Sequence, residues 1–102
     1  MSELPEAYQR VQQQYPELMK HYEALGETAA KAGPLDAKTV ALVKVAMCVA
    51  AGLEGGAHSA VRKALDAGCT PDELRHVAIV AVTTLGFPSM ARARAWIEDL
   101  LP

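Results

Sequence analysis

Between Ala50 and Val77 the chain reads AAGLEGGAHSAVRKALDAGCTPDELRHV, and few residues in it could do chemistry. His58 comes first, with Glu54 four residues before it and Ser59 after it. On a helix an i, i+4 pair meets on one face. Glu54 would then orient the imidazole for proton transfer, provided the helix begins early enough to hold both. The Gly55-Gly56 doublet between them works against that geometry. The alternative is a histidine at the surface or at an interface. Lys44 is the single charged residue between Val40 and Ala51. It could hold an anionic group of a substrate, or pack its stem and extend its ammonium to water or across a subunit interface.

The remaining reactive groups are weaker candidates. Arg75 and His76 lie early in a helix, and His76 could face a pocket or solvent. Cys48 sits in an apolar run and Cys69 just before a turn, 21 residues apart. That spacing fits neither a disulfide framework nor a zinc site. Both are expected to be reduced, Cys48 as a small core residue and Cys69 in a loop or cap. Thr83 and Thr84 are expected to bond back to helix carbonyls, and Met90 and Trp96 to pack. No His/Asp/Glu group has metal-ligand spacing along the chain, and no glycine-rich stretch matches a phosphate loop. Neither a metal nor a cofactor is expected.

The elements that must position these residues are all helices. Pro5 suits the first turn of an opening helix that runs to about Gln14. Leu18, Tyr22, Leu25 and Ala29 recur at helical spacing in a second helix, which ends at Gly33-Pro34. Asp36 is a good N-cap for AKTVALVKVAMCVAAG, closed by Gly52. A helix from roughly Gly55 to Ala67 follows, closed by Gly68. Thr70, Pro71 and Glu73 form a capping-box signature for CTPDELRHVAIVAVTTLG, which ends at Gly86. Phe87-Pro88-Ser89 leads into SMARARAWIEDLL. Strand signals and repeats are absent, so the chain is all-α with five to six helices in a single domain, residues 1–102.

Composition narrows the function classes. A chain of 102 residues with net charge −2 and 5% aromatics has neither the basic patch nor the stacking surface that nucleic-acid binding needs. The opening MSELPEAYQR carries no apolar signal core. The longest apolar runs are too short to span a bilayer. A cytoplasmic location is expected, with no membrane partner. Val40–Ala51 and Val77–Leu85 are apolar almost all round, and such helices want burial on every side. So small a chain can hardly enclose both. Their remaining faces are expected to meet other copies in a homo-oligomer.

LDAKTVALVKVAMCVAAG followed by HSAVRKALDAGCTPDELRHVAIVAVTTLGFP resembles the carboxymuconolactone decarboxylase family, which includes the alkylhydroperoxidase D-like proteins. The resemblance spans roughly Leu18 to Ile97. Its most specific piece is the helix ending in Ala-Gly, followed by the Thr-Pro-Asp-Glu opening of the next. It implies an all-α subunit in a trimer or hexamer, with residues 1–14 and 15–34 as two leading helices and 35–102 as the family core.

The peroxidase-like branch of that family carries Glu-x11-Cys-x2-Cys-x3-His, a dithiol reductant with a proton relay. Anchored on Ala-Gly-x-Thr, the glutamate position falls on Ala41, the cysteines on Leu53 and Gly56, and the histidine on Ala60. A register shifted by two puts the histidine on His58 and the cysteines on Ala51 and Glu54. Neither placement yields a thiol pair. What the resemblance then implies is a member without the redox motif, binding a small organic acid or lactone. Cofactor-free acid–base turnover would use His58, Glu54 and Lys44. The alternatives are a peroxiredoxin-like thiol activity and a non-catalytic oligomeric binding scaffold.

Overall fold

A computed structural model describes residues 5–102 and divides the chain into two compact units, Met1–Pro34 and Leu35–Pro102. The part of the polar opening segment formed by residues 1–4 lies outside the described residues. Helices are the whole of the regular structure among the described residues. None is long and apolar enough to cross a membrane.

In the first unit, α1 (Glu6–Gln14) packs on α2 (Pro16–Ala30). Tyr15 ends one and caps the other, and Pro16 takes the first helical position, where its missing N–H costs nothing. Met19 is the buried side chain of this pair, while Leu18, Tyr22 and Leu25 of the apolar stripe face outward. Tyr8 has its phenol pushed up, first by burial and then by the carboxylate of Glu23.

The second unit contains α3 (Ala37–Ala50), α4 (Glu54–Asp66), α5 (Pro71–Val80), α6 (Val82–Leu85) and α7 (Phe87–Glu98). Asp36 caps α3 by accepting the Thr39 N–H at 2.8 Å. Hydrogen bonds from Thr39, side chain first, hold its carboxyl below the usual range. Thr70 and Glu73 close both halves of the capping box on α5, at 3.1 and 2.8 Å. The α3–α4 and α5–α7 pairs enclose one core, which includes Val45, Val49, Ala57, Val61, Ala64, Leu74, Ala78 and Ile97. α4 presents Ala57, Ala60, Val61 and Ala64 at i, i+3, i+4 and i+7, small side chains that let its neighbours approach closely.

Three details differ from the sequence reading. The helix expected to run unbroken from Pro71 to Leu85 divides at Ala81, where Ala81 and Thr84 donate to carbonyls three residues back. Val80, Val82, Thr83 and Thr84 are all β-branched, and their χ1 crowding favours that tighter turn. Thr83 and Thr84 do not bond back to carbonyls; both side chains are exposed. The last helix begins at Phe87 rather than Ser89, because Pro88 fits its first turn and Gly86, at φ 90°, redirects the chain before it.

The two apolar helical stretches each bury only one side. Val45, Val49 and Ala78 lie in the core, whereas Met47, Ile79, Val80 and Leu85 are exposed. An open groove of ≈ 210 Å3 runs between α3, α5 and α6, lined by residues that include Ala46, Val49, Val77, Val80 and Leu85.

Glu73 is held below the ordinary glutamate range, first by the Thr70 backbone N–H and then by Lys38, 3.0 Å away. A depressed folded-state pKa adds stability above the unfolded value and loses it as pH falls through the folded one. The substitution Glu73→Gln keeps a capping side chain but removes the charge. Urea denaturation is expected to find it less stable than the parent at pH 7, with the difference vanishing as acid protonates Glu73 below the ordinary glutamate range. A difference that persists in acid would refute this assignment.

Candidate functional site

Helix α4 starts one residue earlier than the glycine doublet suggested, and that residue is Glu54. Gly55 and Gly56 fall in its first turn, where amides lack intrahelical acceptors in any case, so their weak helix preference does little harm. The Ala57 N–H donates to the Leu53 carbonyl at 2.7 Å and fixes the start. Glu54 and His58 therefore share one face of α4. A carboxylate oxygen of Glu54 and a ring nitrogen of His58 lie within 4.8 Å of each other.

A third group completes the cluster. Asp99, the residue that caps the end of α7, brings Oδ2 to 3.1 Å from His58 Nε2. Its carboxylate also lies within 4.8 Å of the other two ligand atoms. The His58 side chain is 26% exposed and that of Asp99 55%, so the cluster opens to solvent on one side. Since a carboxylate accepts, this geometry places an N–H at Nε2 and leaves the Nδ1 lone pair of a neutral ring free. Sequence reading missed Asp99 because it lies 41 residues from His58. The only hint along the chain was an acidic pair, Glu98-Asp99, at a helix C-terminus, where the helix dipole disfavours negative charge.

The two acidic residues have separate partners. Glu98 accepts from Arg75 Nε at 2.7 Å, and Arg75 also donates to Asp72. Hydrogen bonds to these two carboxylates push the Arg75 guanidinium further up. Arg75 therefore ties α5 to α7 rather than facing a ligand. His76, beside it, is exposed.

Lys44 does not join the cluster. It is exposed on α3, with no hydrogen bond or ion pair among the described residues. Arg92 is the cation beside the loop that leads into α4. It lies over the Trp96 ring at 4.8 Å and donates to the Val49 carbonyl at 3.4 Å, near the end of α3. Gly52, at φ 73°, makes the turn beneath that guanidinium.

In the register anchored on Ala-Gly-x-Thr, the positions where the peroxidase-like motif would fall hold no reactive group. Ala41 packs against the core, Leu53 is an exposed N-cap and Ala60 is buried. Gly56 has little room for any side chain, since a Cβ there would meet Cys48 Sγ at 3.3 Å. The Cys48 sulfur thus occupies space beside the position of the second motif cysteine. Cys69 is buried against Lys38, whose carbonyl its thiol faces at 3.7 Å, and burial pushes that thiol up, away from the reactive thiolate. Both cysteines are free.

Comparison with known proteins agrees with the fold. The carboxymuconolactone decarboxylase family matches the chain over residues 16–99, from the start of α2 to Asp99. No curated protein and no solved structure matches it at a significant level.

Proposed function

From the premise that this chain belongs to the carboxymuconolactone decarboxylase family, we propose that it binds a small organic acid or lactone and turns it over by cofactor-free acid–base chemistry. The observation that carries the reading is the 3.1 Å contact between His58 and Asp99. Asp99 holds the imidazole in one tautomer and stabilises the imidazolium after proton uptake. Nδ1 is then the base that takes a proton from carbon next to a carbonyl. In an isomerisation the same proton returns to a second carbon. In a decarboxylation the C–C bond to the carboxylate breaks, CO2 leaves, and an imidazolium already protonated from solvent gives its proton to the carbanion. Glu54 flanks the ring from the same helix face.

The ≈ 210 Å3 groove has an almost wholly apolar lining and does not include His58, which favours a second reading. In that reading the chain is a non-catalytic oligomeric scaffold whose groove takes apolar material. Both readings share a homo-oligomer, a trimer or hexamer in keeping with the family. Support comes from the outward faces of Met47, Ile79, Val80, Leu85 and Phe87, which add up to more exposed apolar surface than isolated side chains would. Lys44, exposed and unpaired, enters a site only if another subunit meets it.

Three outcomes test these statements. Among small carboxylates and lactones screened for turnover, His58→Ala is expected to lower kcat by about 10²- to 10⁴-fold while the elution profile stays that of the parent. Asp99→Asn should produce a smaller loss; full activity in His58→Ala would end the acid–base reading. Light scattering is expected to give the mass of a trimer or hexamer, and Val80→Glu to lower it; a monomeric parent would remove the oligomer. Thiol-dependent hydroperoxide reduction is expected to stay at the buffer background in the parent and in Cys48→Ser alike. Activity above background that disappears in Cys48→Ser would restore the peroxidase alternative.

A further inference from the structure

We propose that Glu54, His58 and Asp99 form a binding site for one divalent first-row transition-metal ion of the zinc or manganese class. The three ligand atoms lie within 4.8 Å of one another. Around a zinc ion with bonds of about 2.0–2.2 Å they would stand roughly 3.3 Å apart. Closing that difference takes only small side-chain rotations. Glu54 and Asp99 are exposed and His58 only half-buried, so little packing opposes the movement. One imidazole and two carboxylates suit zinc, manganese or ferrous iron, while an all-oxygen set would suit calcium or magnesium.

Electrostatics point the same way. Asp99 lies at the C-terminal end of α7, where unpaired carbonyls already concentrate negative potential, and Glu98 adds another carboxylate beside it. Arg75 answers Glu98. No Lys or Arg answers Glu54 or Asp99 among the described residues, and the hydrogen-bond partner of the Asp99 carboxylate is the imidazole. Two carboxylates and a neutral ring leave about two negative charges with no cation among them. A divalent ion matches that deficit, and it would replace the proton that His58 and Asp99 now share. A Cβ built on Gly55 would meet nothing within 4 Å, so the approach beside Glu54 is open. Three protein ligands leave coordination positions for water or for a ligand oxygen, the pattern of reactive rather than structural sites.

The inference goes beyond the acid–base reading and does not rest on it. An ion on Nε2 would hold the ring as a ligand, whatever His58 does when the ion is absent. Isothermal titration of tag-free, chelator-treated full chain with Zn2+, and with Co2+ as a spectroscopic probe, tests it without any turnover assay. One ion per chain is expected, with cobalt bands of oxygen and nitrogen ligation. Glu54→Gln and Asp99→Asn are each expected to weaken binding at least about tenfold, since even residues that merely support ligands cost that much. Their metal-free melting curves should overlay the parent's, because both substitutions are isosteric and exposed. Cys48→Ser should bind like the parent. Absence of binding, affinity unchanged in Glu54→Gln, or a thiolate-to-cobalt charge-transfer band would overturn the assignment.

Discussion

The close packing of α4 is what the rest of the second unit depends on. Ala57, Ala60, Val61 and Ala64 offer the core a nearly smooth stripe, so α4 can lie against α3 and α7 at short range. Helices that touch through alanine lie close together, and at native packing density a shift in register drives neighbouring side chains into collision or opens voids. With α4 held in this way, the residues on its adjoining face are fixed too. Glu54 and His58 are carried to the end of α7 where Asp99 waits. The polar cluster is thus a product of apolar packing two residues away.

Caps and glycines set the register of that packing. Asp36, the Thr70–Glu73 box and the positive-φ glycines Gly52, Gly68 and Gly86 mark helix ends at four of the junctions. Each is a local rule written into one to four residues, and for that reason they were legible in the sequence. The bounds of α1 to α4 and the start of α5 were readable to within a few residues on this basis. The break at Ala81 was not, because no glycine or proline announces it; four β-branched residues near one another act cumulatively and leave no single signal.

The candidate site was half legible. The i, i+4 spacing of Glu54 and His58 is visible in sequence, but whether α4 began in time to use it depended on a glycine doublet whose effect changes with position. Asp99 was invisible for a different reason: its place beside His58 follows from tertiary packing across 41 residues, which no periodicity encodes. Lys44 was legible only as an oddity. A lone charge stands out in an apolar helix, and in the single chain it is exposed with no hydrogen bond or ion pair among the described residues.

All the residues of the main core fall between Val45 and Ile97. In the first unit Met19 is the one buried side chain among the described residues. Mutations there meet few packing constraints from within the segment. Substitutions on α1 and α2 therefore meet fewer such constraints within their own unit than substitutions on α4, and this unit tolerates new surface charge at little cost to its own core.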